Sequence, residues 1–290
     1  MLKDWLLASR PKTLVASLLP VVAGFLLAYE QSVFVSKGVG MLCLLYCLLI
    51  QVGTNFANDY FDFVKGADSK RDRAPVRMVS SGIIKPRTML IASCLVFLLS
   101  FAVGVYIMLS VNGSRYLLLV GLVSVLFGLG YTGGPFPLAY NGMGDVFVIL
   151  FFGFVAVLTT YYVTSLSANL NWEPNWVLPL GVGFVINNLL VVNNYRDYEE
   201  DKKVGKKTIV VLLGKRFGLC LFFIGVLVST VLTPFLVPSA WTTIFLLPIG
   251  IYSFVKLPKA LIRSDYDQVL SASAVTVMGY AVSLLLGYLN

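Results

Sequence analysis

The sequence predicts an all-α polytopic membrane protein, on three observations. Hydrophobic residues make up 58% of the 290-residue chain and charged residues only 12%, against about 45–50% and about 25% in an average soluble domain. Apolar runs of roughly 20 residues, the length that crosses a bilayer as a helix, recur along the chain. Lys and Arg gather in alternate connections between those runs. This pattern excludes a soluble globule, a disordered chain and a fibre, and residues 1–290 read as one membrane domain.

Nine spans are predicted, near residues 13–30, 38–61, 88–110, 115–132, 143–166, 175–195, 217–236, 241–255 and 268–289. Ahead of the first lies Met1–Lys12, whose Trp5, Arg10 and Lys12 suit a segment at the membrane interface. The first apolar run is too long for a signal-peptide core and is read as a retained helix. The second span ends in a polar cluster, followed by the basic loop 62–87. Spans four and five are joined by a Gly- and Pro-rich aromatic stretch. The sixth span ends in a second polar cluster, followed by the basic loop 196–216. The last three spans are separated by short connections, of which 256–267 carries Lys256, Lys259 and Arg263.

With the N-terminus in the cytoplasm, 20 of the 22 Lys and Arg fall on the cytoplasmic side, and only Lys37 and Arg115 fall outside. That bias supports the orientation and the odd number of spans, which puts the C-terminus outside. It also accounts for the net charge of +8 without a nucleic-acid partner. The chain has no His, which excludes His-ligated haem, His-containing zinc sites and a His general base. Cys43, Cys47, Cys94 and Cys220 all sit within apolar runs and read as reduced, apolar filler.

Twelve of the 14 acidic residues share the cytoplasmic side with the basic ones. At the end of the second span, Asn55, Asp59 and Asp62 fall within about 60° of one another at 100° per residue, with Asn58 four residues before Asp62. Gly66 breaks this helix and leaves Asp68 in the loop, ahead of Lys70, Arg71 and Arg73. At the end of the sixth span, Asn193, Asp197 and Asp201 repeat at i, i+4 and i+8, ahead of Lys202, Lys203, Lys206 and Lys207. The two clusters share one plan, as in a weak internal repeat. A single cluster reads equally well as a solvated helix end. Two that match, each with Asn on the acidic face, point to function, because ionisable groups at membrane depth are costly.

Carboxylates gathered near one leaflet repel unless cations lie between them. Hard oxygen donors select Mg²⁺, which keeps several waters and bridges to phosphate oxygens. Basic loops beside the acids would meet an anion directly. Acids, Mg²⁺ and basic loops together indicate a diphosphate, whose departure needs no protein nucleophile. The stretch Tyr131–Asp145 carries no Lys or Arg and is rich in aromatic residues. It reads either as a turn or as the wall of an aromatic-substrate pocket. Asp145 reads either as a helix N-terminal acid or as a substrate contact.

These residues resemble the UbiA-type intramembrane aromatic prenyltransferases, most closely their menaquinone branch, over nearly the whole chain. The likeness rests on Arg10-Pro11-Lys12-Thr13, Asn58-Asp59-Tyr60-Phe61-Asp62 with Lys65-Gly66-Ala67-Asp68, and Tyr131-Thr132-Gly133-Gly134-Pro135. It extends to Ala139-Tyr140-Asn141-Gly142, Asn193-Asn194-Tyr195-Arg196-Asp197 through Asp201, and Gly205-Lys206-Lys207-Thr208. The resemblance implies nine helices around a central cavity, with both acidic motifs at its cytoplasmic end, in a bacterial inner membrane. It implies that Asp59, Asp62, Asp197 and Asp201 hold Mg²⁺ on a polyprenyl diphosphate. Asn55, Asn58 and Asn193 would support that cluster, and Lys65, Lys70, Arg71 and Arg196 would contact phosphate. Tyr131 and Asp145 fall to the substrate pocket. The implied reaction is prenylation of 1,4-dihydroxy-2-naphthoate with loss of its carboxylate, giving a demethylmenaquinol. Two positions depart from the pattern: Gly66 stands where the commonest motif has a further Asp, whose place Asp68 takes, and Asp145 stands where this branch has Glu. The alternatives are another acceptor (4-hydroxybenzoate, homogentisate or a different naphthoate) and transport. Transport is disfavoured because the charge lies at one end of the helices and not at the midplane.

Overall fold

Each apolar run folds into helix, because backbone N–H and C=O groups in a bilayer must find their partners within the segment. The structure, a computed structural model, describes residues 2–67 and 77–289. A short helix α1 (Leu2–Ala8) precedes α2 (Pro11–Gln31), α3 (Lys37–Val64), α4 (Pro86–Ser110) and α5 (Tyr116–Gly130). Then come α6 (Gly144–Leu166), α7 (Val177–Arg196), two short helices α8 (Tyr198–Lys203) and α9 (Ile209–Leu213), and finally α10 (Lys215–Leu236), α11 (Pro238–Lys259) and α12 (Arg263–Leu289). Among the described residues the only β pairing is an isolated bridge between Asn141 and Lys207.

Eight of these helices are long and apolar enough to cross a membrane, and the chain is an integral membrane protein. The remaining predicted span, the fourth (115–132), holds the 15-residue α5. At 1.5 Å per residue α5 covers about 22 Å, short of the roughly 30 Å hydrocarbon core.

Local chemistry sets the ends that matter for the site. The Ser36 hydroxyl caps α3 by accepting the Val39 N–H at 3.3 Å. At the other end Gly66 takes φ +70°, which needs no Cβ penalty in glycine. The Gly66 N–H then bonds the Phe63 carbonyl and the Ala67 N–H bonds the Asp62 carbonyl, both at 2.9 Å. This is a Schellman closure, and it fixes the backbone of Asp62 at the last turn.

Helix α7 is the centre of the bundle: 72% of its most apolar stretch is buried, against 22% for α4 at the periphery. It packs on α2, α6, α10 and α12, while α3 packs along α4 and α5. Small residues let α6 and α7 cross closely. A Cβ on Gly153 would come within 2.5 Å of the Pro179 carbonyl oxygen. Beside this crossing α6 widens into a π turn over Ile149–Val155, an irregularity frequent at functional sites.

Candidate active site

The last turns of α3 bury their acids almost completely: Asp59 and Asp62 are each 2% exposed. A carboxylate so placed needs partners. Asp59 accepts the backbone N–H groups of Met78 (3.1 Å) and Val79 (3.4 Å), which ties the returning loop to the helix end. Asp62 Oδ2 pairs with the Arg77 guanidinium at 3.2 Å, and Oδ1 accepts the Tyr140 hydroxyl at 2.7 Å. On the same helix end, Asn58 Oδ1 accepts the Thr132 hydroxyl at 2.7 Å and Lys65 donates to the Thr132 carbonyl. One turn earlier, Asn55 donates to the Ser9 carbonyl at 2.8 Å. The polar stripe expected from the sequence therefore binds three separate segments to α3. Asp68, Lys70 and Arg71 lie outside the described residues.

The second motif is not one unbroken helix. Helix α7 ends at Arg196, and Asp197 sits at the junction with α8. The Asp197 N–H to Asn193 C=O bond (3.0 Å) and the Asp201 N–H to Asp197 C=O bond (2.8 Å) keep the three positions stacked one turn apart. Arg196 forks onto the Asp197 carboxylate with bonds of 2.6 and 2.9 Å and is 5% exposed. Expected as a phosphate contact, its guanidinium serves Asp197 here. Asp201, 1% exposed, faces Lys206 at 3.8 Å. Asn193 turns its amide back to the Leu189 carbonyl at 2.9 Å.

The loop between α5 and α6 joins the two motifs, and sequence reasoning missed the residue that does so. The Tyr140 hydroxyl reaches Asp62, while Lys65 and Lys206 lie 4.5 and 5.2 Å from its ring centroid. The Lys207 N–H also bonds the Tyr140 carbonyl at 3.1 Å. Arg77 and Lys206 were legible only as members of basic loops. Tyr140 could have been found as a tyrosine in the one inner loop that lacks basic residues, lying between two loops rich in them.

Below this network lies a cavity of about 280 Å³. Arg10, Asn55, Asn58, Tyr131 and Asn193 line its polar end, and Phe127, Phe147 and Phe151 belong to its apolar wall. The Phe127 ring lies 4.8 Å from Phe147 and 5.3 Å from Phe151. Of the expected residues, Asn55, Asn58, Tyr131 and Asn193 border this space, while the four motif aspartates and Asp145 stand outside its lining. Arg10 holds φ 55°, ψ 69°, a left-handed conformation that is uncommon for a residue with a side chain, and it acts electrostatically on both Asp59 and Tyr131.

Asp145 lies in the first turn of α6, yet its carboxylate accepts amides from α7: Asn187 at 3.2 Å and Asn194 at 3.5 Å. Tyr131, half-buried, borders the cavity nearby, and its hydroxyl can offer that space a hydrogen-bond donor.

Among the described residues no three acidic, Cys or His side chains form a metal-binding group. The donor set still suits a hard divalent cation. Mg²⁺ takes one or two carboxylates and completes its shell with substrate phosphate and water, so a full protein cage is not required. The buried carboxylates of Asp59, Asp62 and Asp201 are such donors.

Residues 17–281 match the UbiA prenyltransferase family. The chain is 31% identical over 285 residues to the 1,4-dihydroxy-2-naphthoate octaprenyltransferase of Mycobacterium leprae, covering 97% of this chain and 94% of that protein. It is 35% identical over 227 residues to the protein of the same name from Haemophilus influenzae, covering 75% and 71%. Its fold is similar to that of a UbiA homolog from Archaeoglobus fulgidus bound to DMAPP and Mg²⁺, with a TM-score of 0.65, 18% identity and coverage of 98% and 99%.

Proposed function

We infer the reaction from one premise: this chain belongs to the UbiA prenyltransferase family. It is an integral membrane enzyme that transfers a polyprenyl group to 1,4-dihydroxy-2-naphthoate. The observation that carries the reading of its site is the meeting of two acidic motifs, through Tyr140, beside the polar end of an apolar cavity.

In this reading Asp59 and Asp62 of the first motif and Asp197 and Asp201 of the second would hold Mg²⁺. Bound Mg²⁺ would neutralise charge that builds on the departing diphosphate. Asn55, Asn58 and Asn193 supply polar contacts where the cavity meets the head group. Lys65 faces the phosphates, with Lys70, Arg71 and Asp68 assigned to the same end from the sequence alone. Arg196 acts by fixing Asp197.

The polyprenyl tail occupies the apolar part of the cavity. As the C1–O bond of the diphosphate breaks, phenylalanine π faces stabilise the allylic cation and the walls keep water away. The electron-rich naphthoate ring attacks the cation. Loss of the carboxylate as carbon dioxide returns its electron pair to the ring and restores aromaticity, giving a demethylmenaquinol. Tyr131 donates a hydrogen bond to the acceptor, and Asp145, held by two amides of α7, stands behind it.

The charge bias across the connections supports nine spans in one domain, with the short α5 counted among them and the N-terminus cytoplasmic. The same bias supports a site on the cytoplasmic side and a C-terminus outside, and the bacterial relatives support a bacterial inner membrane. The test supplies purified protein with geranylgeranyl diphosphate and two competing acceptors, 1,4-dihydroxy-2-naphthoate and 4-hydroxybenzoate, with and without Mg²⁺. The expected product is the prenylated naphthoate, formed only with Mg²⁺ and with one carbon dioxide released per transfer. Prenylation of the benzoate alone would overturn the acceptor, and metal-independent turnover would overturn the Mg²⁺ site.

A further inference from the structure

We propose that Tyr140 is a positioning residue that couples the two acidic motifs and holds Lys65 and Lys206 together as a paired-cation receptor for the diphosphate. The proposal rests on the reading of the site given above.

Three parts of this residue point the same way. The hydroxyl donates to Asp62 Oδ1 at 2.7 Å. A hydrogen bond from an outer partner fixes the direction in which a ligating carboxylate presents its remaining lone pairs. The ring gathers two ammonium groups, Lys65 at 4.5 Å and Lys206 at 5.2 Å from the centroid. Two like charges repel, and the negative π face is what offsets this. The carbonyl accepts the Lys207 N–H at 3.1 Å and so docks the loop that carries Lys206.

The result is a continuous chain of contacts, Asp62–Tyr140–Lys206–Asp201, from the first motif to the second. Lys206 lies 3.8 Å from Asp201 and Lys65 lies in the field of Asp62. Each ammonium therefore balances a buried acid before substrate arrives. The pair also presents two donors to the oxygens of a diphosphate, which carries charge on both phosphorus centres. The two lysines come from segments about 140 residues apart in the sequence, the end of α3 and the loop after α8, and the Tyr140 ring is a contact they share.

The test is calorimetric titration of the full-length protein in detergent with inorganic diphosphate, over a series of Mg²⁺ concentrations. Tyr140→Phe removes the bond to Asp62 and keeps the ring. It is expected to raise the Mg²⁺ concentration needed for diphosphate binding by about 10-fold or more, with affinity at saturating Mg²⁺ preserved. Tyr140→Leu removes the ring as well and is expected to weaken diphosphate affinity at saturating Mg²⁺ by about 5-fold or more. Titration with 1,4-dihydroxy-2-naphthoate is expected to give unchanged affinity in both variants. Should Tyr140→Leu fail to fold, Lys206→Gln replaces it, with the same expected loss of diphosphate affinity. Wild-type behaviour of Tyr140→Phe and of the ring or lysine variant would overturn the proposal. Equal loss of acceptor and diphosphate affinity would overturn it too, as general collapse of the site. Failure of the wild-type protein to bind diphosphate at any Mg²⁺ concentration would instead remove the reading on which it rests.

Discussion

Lys65 shows how one residue joins the structural account to a measurable property. Burial holds its ammonium below the usual lysine range; Asp62 opposes that shift and Lys206 adds to it. A lysine with a lowered pKa loses its proton sooner as pH rises. Diphosphate affinity is therefore full near neutrality and falls on the alkaline side, before ordinary lysines titrate. Lys65→Arg keeps its charge throughout and is expected to remove that alkaline limb. An identical limb in wild type and variant, measured by titration across pH, would assign the fall to another group. At this scale the sequence was informative about acids and less so about their partners. The spacing of Asn55, Asp59 and Asp62 reveals one helical face, because 100° per residue is a fixed rule. That Arg77 pairs with Asp62, 15 residues away across a loop, follows from no periodicity. Tyr140 is further still, 78 residues from its acceptor.

Among the elements, the crossing of α6 and α7 carries the most consequence, because both helices line the cavity and α7 leads into the second motif. Their approach depends on glycine, since a Cβ on Gly153 would meet the Pro179 carbonyl oxygen at 2.5 Å and the Gly183 Cα at 3.0 Å. Backbone cannot step aside as a flexible side chain can. Gly153→Ala is expected to destabilise the protein by about 1–3 kcal/mol, the usual penalty of overpacking, seen as a lowered unfolding temperature in detergent. An unchanged unfolding temperature would contradict the close crossing. Helix positions were legible from apolar runs, and the break after α3 was legible from Gly66. The junction at Asp197 was not, because its i to i+4 pattern reads on as one helix, and hydrogen bonds accepted by the Asn193 and Asp197 carbonyls do continue through it. The π turn of α6, which packs against α7, left no signal in the apolar pattern either.

For the whole molecule, the membrane class was legible because composition and charge bias respond directly to the bilayer. The cavity was not, because α2, α3, α4, α5, α6 and α7 each contribute residues to it, and only their packing brings those faces together. The site lies where this apolar interior meets a rim of both signs, and each component suits one part of a lipid-tailed diphosphate. Stripping divalent ions with a chelator is expected to abolish transfer, and added Mg²⁺ to restore it. The chelator is expected to leave the unfolding temperature nearly unchanged, because the acids have protein partners of their own. Loss of the fold on chelation would make the ion structural. If both acidic motifs act on one diphosphate, the turnover of Asp59→Asn and Asp197→Asn, each purified and shown to be inserted and folded, reveals it. Each is expected to fall further than the roughly 10–100-fold lost with an outer-sphere partner, to the limit of detection. Near-normal transfer by either variant would contradict the joint site, and near-normal transfer by both would remove the acidic motifs from the chemistry altogether.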